Sequence, residues 1–99
     1  MAMVEITVLP VGTPTPSVSR FVAGAVRILQ REPGIKYELT AMGTIIEGER
    51  EHLLSLANRM HLSAFEAGAV RVVTTIKIDE RLDKPLTIKG KIKAVQEKL

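Results

Sequence analysis

The side chains best suited to chemistry fall in one stretch, Tyr37-Glu-Leu-Thr-Ala-Met-Gly-Thr-Ile-Ile-Glu-Gly48, where Thr40, Met42, Gly43 and Thr44 stand between Glu38 and Glu47. Hydroxyls, a closely approachable backbone and flanking carboxylates are groups that hold a small polar molecule by hydrogen bonds. The two glutamates either contact such a molecule or pair across strands with Lys36 or Lys77, and residue type leaves both open. No hydrolytic triad is expected. Ser17, Ser19, Ser55 and Ser63 lie in predicted helices or at their starts without a glycine-framed elbow, and neither His52 nor His61 has a serine or carboxylate partner on its own element. The two histidines, roughly two and a half turns apart on a helix, are too distant to share a metal ion. They read as exposed or interface helix residues. With no cysteine in the chain, thiolate sites are absent as well, so no catalytic residue, metal or cofactor is expected. The segment Gly12-Thr-Pro-Thr-Pro16 leads into a helix N-terminus, which can receive an anion. Its prolines remove donors, however, it has no P-loop lysine, and ordinary capping is the better account of Thr15.

The elements that must position these groups can be read from periodicity. Met3–Leu9 alternates, with Val4, Ile6 and Val8 on one side and Glu5, Thr7 and Leu9 on the other, as a strand with one buried face does. Thr15 and Pro16 form an N-cap and first-turn pair, so a helix is expected to start there. Its apolar stripe is Val18, Phe21, Val22, Ala25, Val26 and Leu29, and Pro33-Gly34 stops it. Residues 37–48 read as a hairpin turning at Ala41 and Met42, with Tyr37, Leu39 and Ile46 inward. Glu47 and Glu49 then stand at the start of a second helix, complementing its dipole, with Leu53, Leu56, Ala57, Met60 and Ala64 as inner stripe and Gly68 at its end. Ala69–Ile78 is a strongly β-forming fourth strand. Residues 79–84 form a charged connection, and Ile88, Ile92, Val95 and Leu99 recur at helical spacing in a lysine-rich last helix.

The order β-α-β-β-α-β, with an added C-terminal helix, predicts an α+β, ferredoxin-like sandwich. It forms one domain over residues 1–99, with a four-stranded antiparallel sheet and the first strand between the third and fourth. Both helices must then cover one face. The other carries Glu38, Thr40, Ile45 and Glu47 beside Glu5, Thr7, Leu9, Val73, Thr75 and Lys77, a mixture that suits a subunit interface or a ligand platform. The net charge of +3 comes from the C-terminal end: residues 1–76 hold seven Lys/Arg and seven Asp/Glu, residues 77–99 seven and four. RNA-recognition modules of this architecture stack bases on strand aromatics, which are missing here, so no nucleic-acid partner is expected. No apolar run is long enough to insert in a membrane and no leader is evident, so a cytoplasmic protein is expected.

Three segments together resemble the short, single-domain members of the YkoF-like thiamine-binding protein family: a first strand running into Pro10-Val-Gly-Thr13, the hairpin 37–48, and Arg71-Val-Val-Thr-Thr-Ile-Lys-Ile-Asp-Glu-Arg81 followed by Asp83-Lys84. The likeness spans essentially the whole chain. It implies a non-enzymatic protomer that assembles with itself through its sheets, as a homodimer and then a dimer of dimers. It further implies binding of thiamine or its hydroxymethylpyrimidine moiety at or near a subunit interface. Residues suited to an aminopyrimidine and a thiazolium cation are Thr13, Glu38, Thr40, Met42, Gly43, Thr44, Glu47 and Thr75. An oligomeric structural or regulatory protein that binds another small metabolite, or none, is the alternative. An acylphosphatase-type enzyme shares the architecture but needs an arginine in the loop after the first strand, whereas Arg20 falls inside a helix.

Overall fold

The computed structural model describes residues 1–99 as β1 (Ala2–Pro10), α1 (Ser19–Gln30), β2 (Lys36–Leu39), β3 (Thr44–Gly48), α2 (Arg50–Glu66), β4 (Val72–Glu80) and α3 (Ile88–Gln96). The sheet is antiparallel throughout, in the order β2-β3-β1-β4. This is the expected ferredoxin-like arrangement with β1 central. α1 and α2 lie on one face, where Val4, Ile6 and Ile46 meet Phe21, Ala25 and Leu29 of α1 and Leu53, Leu56, Ala57 and Met60 of α2, all buried. Aliphatic side chains at period 2 on the strands and at helical spacing on the helices make this core, and its burial from water is the main stabilising term.

Four local expectations change. α1 begins at Ser19 rather than at Thr15-Pro16, its Ncap position being Val18 with no side-chain cap. The Thr15 hydroxyl instead accepts from Ser17 N at 3.2 Å, a local turn that competes with helix initiation. β4 runs from Val72 to Glu80, a few residues later than the apolar run suggested, because Ala2–Pro10 of β1 pairs residue for residue with Val72–Glu80. Leu39 lies on the helix-covered face but at the sheet edge beyond α1, and stays exposed. Glu47 does not serve the start of α2, which Glu49 precedes in extended conformation. It ends β3 on the opposite face, where its Oε2 accepts from Ile88 N at 2.6 Å.

That last bond places α3. Glu47 and Asp79 flank Met3 in the register of β3, β1 and β4, and Lys91 bridges to Asp79. α3 therefore crosses one end of the open sheet face, from β3 to β4. Thr87 caps it through Gly90 N at 3.0 Å, and Leu86 is buried beneath its entry. None of its own residues is buried, and Ile92 and Val95 are exposed. No helix is long and apolar enough to cross a membrane.

Candidate functional site

The hairpin turn is the most cross-braced loop in the molecule. Thr40 N donates to Gly43 O at 2.9 Å. The Thr40 hydroxyl donates to the same carbonyl at 2.8 Å and accepts from Gly43 N at 3.2 Å and Met42 N at 3.3 Å. This side chain therefore closes the turn from inside, as threonines in turns do. The turn then leans on β1: Thr7 Oγ1 donates to Met42 O at 3.2 Å. A Cβ at position 43 would stand 3.0 Å from Thr7 Oγ1 and 3.2 Å from the Ile6 carbonyl oxygen, so only glycine permits this approach without a shift.

Beneath the turn opens a crevice of about 190 Å³. Its floor is Ile6, Val8 and Thr44; Val18, Val22 and Ala25 of the α1 region, with Met60 of α2, form its apolar wall; Leu39 to Gly43 form its lip. Thr44 is buried, whereas Met42 at the mouth is 82% exposed. The volume is below the range of pockets that enclose a drug-sized ligand, and suits one substituted ring. Polar groups at the lip and aliphatic walls below would hold the ring's edge and its faces respectively.

Of the eight expected contact residues, the crevice brings together Thr40, Met42, Gly43 and Thr44. Glu38 and Glu47 lie elsewhere, in a shallow cleft of about 500 Å³ between the β2 edge and the start of α3, with Lys36, Tyr37, Thr87 and Lys89. Glu47 is three residues along β3 from Thr44, roughly 10 Å at the rise of a strand. It is 8% exposed and committed to Ile88 N. Neither proposed lysine pairing is made: Lys36 stands opposite Glu47 in register without an ion pair, and Lys77 stands opposite Glu5. Thr13 is occupied within its own loop, donating to Thr15 O at 2.7 Å. Thr75 is exposed on the open face, opposite Thr7. Among the crevice residues that sequence reasoning missed are Thr7, Val18, Val22 and Met60. Alternation had placed Thr7 on the open face, but only the close approach at Gly43 shows that its hydroxyl fastens the turn.

Both histidines are used structurally. His52 Nε2 meets Glu32 Oε1 at 2.9 Å, and Arg59 reaches Glu32 Oε2 at 3.2 Å. The hydrogen bond from His52, then that from Arg59, holds the Glu32 carboxyl below its ordinary value. His61 Nδ1 shares a 2.6 Å hydrogen bond with Thr74 Oγ1 and stands edge-on to Phe65. No three His, Asp or Glu side chains converge as metal ligands would.

Comparison with known proteins agrees with this architecture. Residues 4–96 match the model of a family described as thiamine-binding protein. Over 102 aligned positions the chain is 45% identical to the UPF0045 protein YqgV of Bacillus subtilis, spanning all of this chain and 98% of that protein. A UPF0045 protein of Methanothermobacter thermautotrophicus is 38% identical over the full length of both chains. Among solved structures, the hypothetical protein MJ1052 of Methanocaldococcus jannaschii superposes with a TM-score of 0.88 at 35% identity, over 97% of this chain and 96% of that one. The chain belongs to the thiamine-binding protein family.

Proposed function

We propose that this is a non-enzymatic binding protein of the cytoplasm that takes thiamine or its hydroxymethylpyrimidine moiety into the crevice under the 40–43 turn. The observation that carries the reading is the crevice itself: in a chain of this family, Thr40, Met42, Gly43 and Thr44 converge over an aliphatic pocket sized for one substituted ring. The pyrimidine is the part that fits, its amino and ring nitrogens meeting hydroxyl and carbonyl groups at the lip and its faces meeting Val22 and Met60. The thiazolium end would project past Met42. A binding role without chemistry is supported by the state of the hydroxyls. Those of Thr7 and Thr40 donate to backbone carbonyls and are engaged in holding the turn.

A partner subunit completes the site in this reading. Leu9 and Val73, opposite each other on the open face, are exposed beside Thr7 and Thr75. A second copy stacked there buries them and closes the mouth at Met42. Isothermal titration of the purified protein with thiamine, and separately with hydroxymethylpyrimidine, tests the proposal. Saturable heat with the pyrimidine, weakened by Thr44→Val, is expected. Absence of heat and of any thermal shift at millimolar ligand, with the assembly intact, overturns it in favour of an oligomeric structural or regulatory protein.

A further inference from the structure

The net positive charge of the molecule is confined to the segment that carries α3. Residues 84–99 hold five lysines and one glutamate, whereas residues 1–83 hold nine Lys/Arg and ten Asp/Glu. The same segment is amphipathic. Ile88, Ile92, Val95 and Leu99 recur at spacings of four, three and four along α3 and the turn after it, which makes a single helical stripe. At about 100° per residue, Lys91 and Lys98 fall on one side of that stripe and Lys89 and Lys93 on the other. Hydrogen bonds and ion pairs hold α3 only near its start, where Glu47 takes the Ile88 amide and Asp79 of the edge strand β4 takes Lys91. Beyond Lys91 its bonds are to itself. Exposure of the stripe rises from 47% at Ile92 to 58% at Val95 and 100% at Leu99, so its second half is left uncovered by this protomer.

We propose that α3 docks on an anionic phospholipid surface, with the outer part of its apolar stripe at the boundary of headgroups and acyl chains and its lysines among the phosphates. A narrow apolar stripe bordered by lysines on both sides is what an interfacial helix requires. The apolar side chains enter the lipid, and the lysine stems lie along it while their ammonium groups reach outward to the phosphates. These charges are available: Lys89 and Lys98 have no carboxylate partner, and Lys93 has only a 3.9 Å contact with Glu97 of its own helix. An acidic protein suits the surface less well. The stripe of a nine-residue helix about 14 Å long is convex, and it offers far less than the roughly 800 Å² that a stable protein interface takes from each side. A lipid surface needs no complementary shape. Leu9 and Val73, where a second copy would stack, lie at the opposite end of the sheet from α3, so the two contacts do not compete.

This surface rests on α3 alone, not on the ligand reading. Sedimentation of the full chain with vesicles of phosphatidylglycerol and phosphatidylcholine in equal parts, against vesicles of phosphatidylcholine only, tests it. Binding is expected to the anionic vesicles alone and should be released by added salt, which screens the attraction. Each lysine near such a surface contributes about five-fold in affinity, so Lys89→Gln combined with Lys93→Gln should weaken binding roughly 25-fold. The chain has no tryptophan, so Val95→Trp provides a single reporter on the stripe. Its emission should shift to the blue with anionic vesicles and return when salt releases them. No sedimentation with anionic vesicles at low ionic strength, or binding that leaves the emission from position 95 unshifted, overturns the proposal. Equal binding to the neutral vesicles overturns it too, since the lysines would then have no part. Retention on immobilised poly-glutamate without vesicle binding overturns it in favour of an acidic protein partner.

Discussion

Removing the Glu47 carboxylate tests how α3 is held. Glu47 is 8% exposed, and its Oε2 accepts from Ile88 N at 2.6 Å, the first amide of a nine-residue helix. A helix of that length does not persist alone in water. Its other attachments are modest: an exposed Lys91–Asp79 bridge and the buried Leu86 at its entry. A hydrogen bond to a charged acceptor contributes about 1.5–3 kcal/mol. Glu47→Ala should therefore raise the opening of α3 by that amount, about 10- to 150-fold in the exchange rates of the Ile88 amide and of the amides from Lys91 to Gln96. Glu47→Gln keeps an acceptor without its charge and should lie between the two. The sheet core is untouched, so the midpoint of global unfolding should move far less than the 4–8 °C per kcal/mol expected of a globally felt loss. Site-resolved exchange is the assay. If Ile88 and the α3 amides exchange at parental rates in Glu47→Ala, the carboxylate does not dock the helix.

Four further perturbations probe the turn, α1 and the surface. Gly43→Ala forces a Cβ against Thr7 Oγ1 and the Ile6 carbonyl oxygen, and should cost about 1–3 kcal/mol in urea unfolding. Gly24→Ala in α1 meets nothing within 4 Å and should instead stabilise by up to about 1 kcal/mol. Thr40→Val removes the hydroxyl that makes three bonds in the turn and should cost about 1–2 kcal/mol, whereas Thr40→Ser should recover most of it. Equal stability of the valine and serine variants would show that the hydroxyl is idle. Finally, the Glu32 carboxyl is held below its ordinary value of 4.5, first by His52 and then by Arg59. A depressed carboxyl stabilises above its unfolded value and loses that contribution as pH falls through the folded one. Melting temperature should thus fall more steeply below about pH 4.5 in the parent than in Glu32→Gln, and added salt should shrink the difference.

The parts of this molecule legible in its sequence are those governed by periodicity. Val4, Ile6 and Val8 alternate, and Leu53, Leu56, Ala57 and Met60 recur at helical spacing, because one face of each element must be dry; the sheet order follows from connection rules. The hairpin register, Leu39 opposite Thr44 and Tyr37 opposite Ile46, was likewise set by turn length and face. What resisted reading was where individual polar groups spend their hydrogen bonds. Thr15 looks like a helix cap and makes a turn; Glu47 looks like a charge for α2 or a ligand contact, and holds a helix forty residues away in sequence. Such choices depend on which distant backbone amide is left unpartnered, and composition carries no record of that.

The same principle divides the hairpin. Along β3 the side chains alternate between a core that must exclude water and an open face that α3 only partly covers, so Thr44 and Glu47, both nearly buried, serve opposite sides of one sheet. A ligand in the crevice would therefore meet Thr44 from the core side, where Glu47 cannot reach it. The cationic end of thiamine then has no buried carboxylate to meet within the protomer. Any preference for thiamine over the neutral pyrimidine must come from groups at the open mouth, beside Met42, where a partner subunit would sit. If the protein self-associates as proposed, comparing the two affinities below and above the concentration at which it does so separates these contributions: the pyrimidine term should hold and the thiazolium term should appear only with assembly. A thiamine preference already present in the monomer would refute that division.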